Sequence, residues 1–424
     1  MAAGAGTRMK SQTPKVLHML SGRRLIDYPI LAAQSVSDDV QVVLFHQREQ
    51  VEAHIAKSFD GVRCVCQDHE NLPGTAGAVM AAKPKYDRVV VLNGDMPLVT
   101  PEFTRLLANR TEEAAISVFA TANPSGYGRV VMSKDRVRRI VEEKDASEEE
   151  KKINIVNAGV YSFSKQFLSE FLKKVENSNE QKEFYLTDLI SLAVKNKKTV
   201  SALWGDELIL MGINSKADLS AAERIHQGLI KNDLMNRGIL VRMPETVFID
   251  ASATFEGECA VENGAMILGQ SRIVRSVIKA HSIVEDSIIV DSDIGPMAHI
   301  RPNSEIINTH IGNFVETKKA KLNGVKAGHL SYLGDATIDE GTNIGAGTIT
   351  CNYNGKNKYQ TTIGKNVFIG SDTQLVAPIA IPDNVLIGAG STVVKDPKEG
   401  DLVLSRSEQK SIAGFFFKFF GKHK

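Results

Sequence analysis

Four cysteines in 424 residues (Cys64, Cys66, Cys259 and Cys351) are too few for a disulfide framework. Cys64 and Cys66 are separated by a single residue, which is neither a C-x-x-C redox spacing nor half of a usual zinc site. All four read as reduced thiols in a cytoplasmic protein. An excess of one charge is also lacking: Lys and Arg total 51 against 50 Asp and Glu, a net charge of +1. Wrapping nucleic acid by bulk electrostatics needs a basic excess or patch, so no nucleic-acid partner is expected. No apolar run reaches the roughly eighteen residues of a membrane-spanning helix, so no span is expected. Met1-Ala2-Ala3-Gly4 shows neither the charged nor the apolar region of a signal peptide. What is present, 42% apolar and 24% charged residues, is an ordinary globular mix that fills a core. At roughly 150 residues per domain, the length suggests two or three domains.

The first half alternates short apolar runs with helical spacing. Val42 to Phe45, Val89 to Leu92, Ala114 to Phe119 and Val156 to Phe163 read as buried strands, and Arg24 to Ser35 and Pro101 to Asn109 as helices. This alternation predicts an α/β domain with a mostly parallel sheet, whose ligands sit beyond the carboxyl ends of the strands. From Ser215 to Arg242 the period becomes that of one long helix, with Leu219, Ala222, Ile225, Leu229 and Leu234 on one face and Gly238 near its end. A third pattern follows. Ile363, Ile369, Leu375, Ile381, Ile387 and Val393 recur at a spacing of six, as do Ile249, Phe255, Val261, Ile267 and Ile273, and Ile294, Ile300 and Ile306. Neither a helix nor an isolated strand sustains that period, whereas a hexapeptide-repeat solenoid does. Gly364, Gly370 and Gly388 follow inward residues, where a small residue suits a tight corner. The period slips between Asp286 and Ile294 and after Ile306, and 351–360 leaves it altogether, which predicts a projecting loop around Asn352 to Lys358.

Gly4-Ala5-Gly6-Thr7-Arg8-Met9, with Lys15 seven residues after Arg8, offers glycine-freed backbone amides and two cations to a polyphosphate. The spacing is not that of the Walker loop. The run through Pro14-Lys15-Val16-Leu17 resembles the signature of the sugar nucleotidyltransferases. Leu92-Asn93-Gly94-Asp95-Met96-Pro97-Leu98, Gly126-Tyr127-Gly128-Arg129, Val141 to Ala146, Asn157-Ala158-Gly159, Phe184 to Asp188 and Gly212-Ile213-Asn214 agree in order. In the second half, Gly312 to Ala320, Lys326 to Asp335, Asn343 to Tyr353 and Gly370 to Gln374 narrow the match. Together these motifs resemble the bacterial bifunctional N-acetylglucosamine-1-phosphate uridyltransferase / glucosamine-1-phosphate N-acetyltransferase family, over nearly the whole chain.

The resemblance implies three parts. They are a Rossmann-like uridyltransferase domain (1–216), a linker helix (217–237) and an acetyltransferase domain (238–424) built as a left-handed parallel β-helix of hexapeptide repeats. It implies two reactions that make UDP-N-acetylglucosamine for peptidoglycan and lipopolysaccharide. Acetyl-CoA acetylates glucosamine 1-phosphate, and the product attacks UTP, releasing pyrophosphate. By resemblance, Arg8 and Lys15 face the triphosphate, Asp95 and Asn214 hold Mg²⁺, and Ala2, Ala3, Gly4, Asn93 and Gly94 line the nucleotide. Gln67, Gly74 and Thr75 match uracil contacts, and Gly128, Glu142 and Asn157 sugar contacts. His329 matches the general base of acetyl transfer, a role that suits imidazole because its unperturbed pKa is about 6.5. Arg301, Lys318 and Lys358 match cations near the sugar phosphate. Tyr332 and Asn343 match sugar-site contacts, and Asn352 and Tyr353 contacts to acetyl-CoA or sugar. Ala346, Ser371, Ala389 and Arg406 match the coenzyme groove. The family is a homotrimer with acetyltransferase sites between neighbouring solenoids.

Three departures from the family pattern stand out. The family has an apolar strand ahead of the glycine-rich motif and none stands here, so the stated start is expected to be a few residues late. The stretch from Gln67 to Gly74-Thr75 is two residues longer than the pattern, and Asn93 occupies a position where an aromatic is common. The tail Phe415 to Lys424, mixing phenylalanine with lysine, is expected to pack on the trimer or fray, with contact to a membrane surface as the alternative. Two other functions compete. One is a single-activity nucleotidyltransferase whose solenoid only oligomerises it; the other is a non-catalytic sugar-nucleotide sensor or scaffold. His329 with the projecting loop opposes the first, and the joint presence of Lys15, Asp95, Asn214 and His329 opposes the second.

Overall fold

A computed structural model describes residues 1–4, 6–133 and 136–421. Ala5 of the glycine-rich motif and the last three tail residues, Lys422, His423 and Lys424, lie outside the described residues. The chain divides into two compact units, Met1–His226 and Gln227–Lys424, and the division falls inside the helix Lys216–Asn236.

In the first unit, besides a short antiparallel pair, Met19–Leu20 with Arg23–Arg24, the strands are β1 (Gln41–Leu44), β2 (Arg63–Cys66), β3 (Arg88–Val91), β4 (Ala114–Ala120), β5 (Arg129–Ser133), β6 (Arg136–Val141), β7 (Ile155–Ser164) and β8 (Val200–Trp204). The four expected strands are among them. The helices that matter below are α1 (Asp27–Gln34), α2 (Thr75–Ala81) and α3 (Pro101–Ala108). Thr100 caps α3 by accepting from Phe103 N, and Pro101 starts it where no amide is needed. β1 and β2 pair in parallel, as do β4 and β8. The larger sheet is nevertheless mixed, because β7 runs antiparallel to β3, β4 and β5. This corrects the mostly parallel expectation. The hairpin β5–β6 returns the chain so that β7 enters from the opposite end, and an apolar run carries no sign of its direction.

The second unit is a three-sided parallel β-helix, with faces of ten, nine and eight strands, consistent with the left-handed hexapeptide coil. Each strand pairs with the strand one coil on, as in Val241↔Val261, Val261↔Ile278 and Ile278↔Ile294. The six-spaced residues point inward and are buried. At about 1.5–3 kcal/mol for each buried aliphatic side chain, this column supplies the driving force of the unit. The slipped period has a physical cause. Val284, Ile289 and Ile294 are all buried at steps of five, so these coils are shortened at their corners rather than interrupted. After Ile306, Thr317 and Ala327 also take inward positions, which hides the aliphatic repeat.

The glycines after inward residues are not corners of unusual φ. A Cβ on Gly370 would lie 2.4 Å from Ala389 N on the next coil, so close stacking selects glycine there. Gly312 is tighter, with a Cβ placed 1.9 Å from Gly328 O. Gly312→Ala is therefore expected to cost about 1–3 kcal/mol through overpacking. Differential scanning calorimetry should show the solenoid transition several degrees lower, and an unchanged transition would contradict the close stacking.

The helix Lys216–Asn236 closes the first coil. Gln227 and Ile249 exchange two hydrogen bonds, 2.7 Å from Gln227 Nε2 to Ile249 O and 3.1 Å from Ile249 N to Gln227 Oε1. Lys231 Nζ donates to Pro244 O at 2.6 Å and Val247 O at 2.9 Å. Side chains thus complete the terminal coil as a capping repeat must. Leu229, assigned to the apolar face, is 46% exposed; the buried face runs instead through Gln227, Lys231 and Leu234. Among the described residues no helix is long and apolar enough to cross a membrane. The tail forms a short helix, Phe415–Phe420, whose five phenylalanines are all exposed.

Candidate active sites

In the first unit, three polar side chains from distant segments meet beyond the carboxyl ends of β1 and β3. Lys15 lies in a 3₁₀ turn, Asp95 follows β3, and Asn214 precedes the helix Lys216–Asn236. The Lys15 ammonium donates to the Asp95 carboxylate and to Asn214 Oδ1, the latter at 3.2 Å. Gly6 permits this arrangement. It sits at φ 62°, and a Cβ there would come within 2.7 Å of Lys15 Cβ, so the glycine-rich loop passes directly over the lysine. Ile213 N donates to Asp95 O at 2.9 Å, tying the two acceptor segments together. The Asp218 carboxylate accepts from Asn214 N and Ser215 N, each at 2.9 Å, and fixes Asn214 at the helix start. Ala2 is buried against Gly94, Ala3 is half-buried, and Gly4 and Arg8 are exposed on the loop. Arg8 therefore stands outside the Lys15–Asp95–Asn214 cluster, on solvent.

Gly128, Glu142 and Asn157 form a second group. A Cβ on Gly128 would lie 3.5 Å from Glu142 Oε2, and Asn157 N donates to Gly128 O at 2.8 Å. Asn157 Nδ2 donates to Tyr161 OH at 2.6 Å. Asn93 Nδ2 donates to Gly159 O at 3.0 Å, so its side chain joins the end of β3 to β7. Gly74 and Thr75 begin α2, where Thr75 Oγ1 accepts from Leu186 N at 2.9 Å. Gln67 behaves differently. It is buried, and its Nε2 donates to Leu72 O and Gly74 O, each at 2.9 Å. Its two amide hydrogens are taken up inside the lengthened loop, where they help to place Gly74. Thr187, which donates to Glu142 Oε1 at 2.9 Å, was not singled out by sequence, although the motif Phe184 to Asp188 contains it.

Burial pushes the Glu142 carboxyl above its usual range, and the Thr187 hydrogen bond opposes this only in part. A carboxyl raised in the folded state holds its proton longer there than in the unfolded chain. Its stabilising effect is present at low pH and is lost as pH rises from the ordinary carboxylate range through the raised value. Glu142→Gln is expected to remove that loss. The unfolding temperature of the first unit should then exceed wild type above this window and converge with it at low pH; a pH-independent difference would contradict the shift.

In the second unit the candidates fall at two edges of the nine-stranded face. One edge is a repeated corner in which Phe314, Leu330, Gly347, Asp372 and Gly390 all have φ between 49° and 80°. Their predecessors in the lower coils are His329, Ala346, Ser371 and Ala389. Hydrogen bonds from Gly347 N to Leu330 O (3.1 Å), Asp372 N to Ala346 O (2.7 Å) and Gly390 N to Ser371 O (2.8 Å) stack these corners. His329 is exposed at the top of the column, and no side-chain partner for it is found among the described residues. Below it the outward side chains are small, and Arg406 Nη1 donates to Ala389 O at 2.8 Å.

At the opposite edge, Arg301, Lys318 and Lys358 are drawn together. Lys358 beside Lys318, with Arg301, pushes the Lys318 ammonium below its usual range. Arg301 Nη1 contacts Glu316 Oε1 at 2.8 Å. Lys358 lines a cavity of about 300 Å³ with Lys319, Asp335, Tyr359 and Gln360. Asn352 is buried and donates to Asp335 Oδ2 at 2.5 Å, whereas Tyr353 is exposed on the loop, which projects as expected. Tyr332 spans the face between the edges: a Cβ on Gly334 would meet its hydroxyl at 2.3 Å. Asn343 lies on the ten-stranded face, paired with Lys326 and Phe368. Asp335 and Glu316, the acidic partners of this edge, were missed as individual residues, although both fall inside quoted motifs.

Residues 1–158 match the family model described as a MobA-like NTP transferase domain. Over 425 aligned positions the chain is 55% identical to the bifunctional protein GlmU of Aliarcobacter butzleri, a match spanning all of this chain and 98% of the relative. It is 55% identical to that of Wolinella succinogenes, again over all of this chain and 98% of the relative. With that of Campylobacter curvus it shares 54% identity over 100% and 97%. Two catalytic candidates on two separate units and full-length similarity to proteins named for two functions agree: this chain belongs to the GlmU family of bifunctional enzymes.

Proposed function

We propose that the first unit transfers uridylyl from UTP to N-acetylglucosamine 1-phosphate and that the second acetylates glucosamine 1-phosphate from acetyl-CoA. The observation that carries this reading is the presence of two separate polar constellations, Lys15–Asp95–Asn214 and His329 with its column of small residues.

In uridylyl transfer a phosphate oxygen of the sugar attacks the α-phosphorus of UTP, a new P–O bond forms, and the bond to pyrophosphate breaks. The nucleophile is already an anion, so the protein must offset charge repulsion and align the partners. Lys15 supplies a fixed cation, with Arg8 on the loop above it. Gly128, Glu142 and Asn157 orient the sugar, and Gly74 and Thr75 border the base. Asp95 and Asn214 already direct two oxygens at one cation, the Lys15 ammonium. Among the described residues no group of three or more His, Cys, Asp or Glu could hold a metal. A hard oxygen pair that leaves most positions to phosphate and water fits Mg²⁺, which when bound would neutralise phosphate charge. The metal residues would be Asp95 and Asn214.

In acetyl transfer the sugar amine attacks the thioester carbonyl, the C–N bond forms, the C–S bond breaks, and coenzyme A leaves as a thiol. His329 takes the amine proton. Arg301, Lys318 and Lys358 hold the sugar phosphate, and the column Ala346, Ser371, Ala389 with Arg406 receives the coenzyme. The imidazole and the cations occupy opposite edges of one face, and both are open. Packing of copies as a homotrimer, the arrangement implied by the resemblance, would set the corner of one copy against the cationic edge of the next. All four cysteines are free, which suits the cytoplasm that supplies both co-substrates.

The test is a pair of assays on purified protein. Coenzyme A should be released from acetyl-CoA with glucosamine 1-phosphate. Pyrophosphate should be released from UTP with N-acetylglucosamine 1-phosphate and Mg²⁺. Loss of either activity in the wild type would reduce the protein to one function.

A further inference from the structure

The segment after the last coil carries five large apolar side chains in one short run. Every residue from Leu404 to Gly421 is exposed. In the helix Phe415–Phe420 the five phenylalanines are each between 51% and 70% exposed. Among the described residues their ring contacts are with one another: Phe415 stacks on Phe419 at 6.0 Å, and Phe416 meets Phe420 at 5.0 Å. Single exposed apolar residues are ordinary on a protein surface, whereas a contiguous patch marks a contact. At about 100° per residue the five rings spread over an arc of about 200°, and Lys418 falls near the middle of what remains. The charge of the segment has one sign. From Gln409 to Lys424 the sequence holds no Asp or Glu, while Lys410, Lys418, Lys422 and Lys424 are basic. In a chain of net charge +1 this is a local cationic excess.

We propose that this tail is a membrane-surface contact, with its phenylalanine rings seated among the acyl chains and its lysines on the headgroups of an anionic phospholipid bilayer. Three observations select that occupant. The arc of rings is about twice as wide as the stripe a helix buries against a folded protein, so a protein groove would leave rings in water and a lipid interface would not. Lys418, opposite the rings, then stands at headgroup level, and a bilayer of negative surface potential complements a segment that is basic throughout. A helix this short does not hold itself in water, so it needs a surface that takes its rings. The tether suits such a contact. Arg406 holds to Ala389 O on the coil, and from there to Gly414 no regular structure intervenes. Extended at about 3.5 Å per residue, that stretch places the helix up to about 28 Å from its anchor. The contact is reversible rather than a permanent anchor, because stable attachment takes two signals and each of these is small. The inference rests on the tail alone and stands apart from the proposed reactions.

The experiment floats the full-length protein on a density gradient with vesicles, which keeps aggregated protein out of the scored fraction. Vesicles of phosphatidylcholine with phosphatidylglycerol, at about 7:3, should carry at least about tenfold more protein than vesicles of phosphatidylcholine alone. Replacing Phe416→Ser, Phe419→Ser and Phe420→Ser together should lower binding to the anionic vesicles by at least about tenfold. Lys410→Glu with Lys418→Glu should bring it down toward the level on phosphatidylcholine. All these side chains are exposed, so the unfolding temperatures of wild type and variants should agree, and lost binding is then not lost folding. Equal binding to the two vesicle types, or equal binding by wild type and the triple serine variant, would overturn the proposal. So would a wild type that stays off both vesicles while the triple serine variant drops in mass by light scattering, which would assign the rings to a second copy of the chain.

Discussion

Asp95→Ala is expected to lower pyrophosphate release by about 10²–10³-fold while coenzyme A release stays at the wild-type rate. Two effects act in the same direction. The Asp95 carboxylate orients the Lys15 ammonium, which is mostly buried at 12% exposure and, among the described residues, has only Asn214 Oδ1 as its other acceptor. It is also the only carboxylate in that cluster, so its removal leaves Asn214 as the single protein oxygen for a divalent cation. Asp95→Asn separates shape from charge, because it keeps an oxygen and the volume. If charge dominates, Asp95→Asn should be nearly as inactive as the alanine variant, and excess Mg²⁺ should restore part of the rate. Chelation of the wild type should abolish uridylyl transfer alone. Full pyrophosphate release by Asp95→Asn would remove Asp95 from the site.

The expected fold was readable where the physics repeats. Inward residues such as Ile363, Ile369 and Leu375 stand one per flat face, and each coil repeats the same burial, so the period survives substitution. It became unreadable where corners shorten, as between Val284 and Ile294, since a five-residue step looks like noise against a period of six. The direction of β7 was hidden for another reason. Apolar runs report burial on both faces, while direction is set by the connection, here the hairpin β5–β6.

Site residues divided along similar lines. Lys15, Asp95 and Asn214 lie 199 positions apart at the extremes, and the fold brings them within hydrogen-bond reach. Motif order alone pointed to them. Gln67 shows the limit of residue type: a buried amide can face a base or its own loop, and here its hydrogens go to Leu72 and Gly74. Histidine type was equally uninformative among ten such residues. His54 pairs with Asp27, His299 with Glu285 and His310 with Asp293. Burial drives His226 down to about 4. His329 is exposed on a corner without such a partner, a distinction that only the coil geometry reveals.

His329→Ala is expected to lower coenzyme A release by about 10²–10⁴-fold, the usual worth of a positioned general base, and to leave uridylyl transfer unchanged. The loss should fall on kcat, with KM for acetyl-CoA nearly constant, because the coenzyme column below the imidazole remains intact. An exposed side chain with no partner contributes little to folding, so the unfolding temperature of the solenoid should not move. Lys318→Ala should instead raise KM for glucosamine 1-phosphate, since Lys318 belongs to the cationic edge. The placement of these two residues on opposite edges makes a sharper test possible. If neighbouring copies complete each site, mixed assembly of the two variants, assayed at glucosamine 1-phosphate far enough below the raised KM that both parents are nearly silent, recreates sites that draw the imidazole from one and the cation from the other. Random pairing in a closed ring makes about one site in four wild type. Recovery near that fraction would establish a shared centre. A mixture as inactive as its parents would confine both edges to a single chain, and a His329→Ala enzyme with full acetyl transfer would remove the imidazole from the reaction.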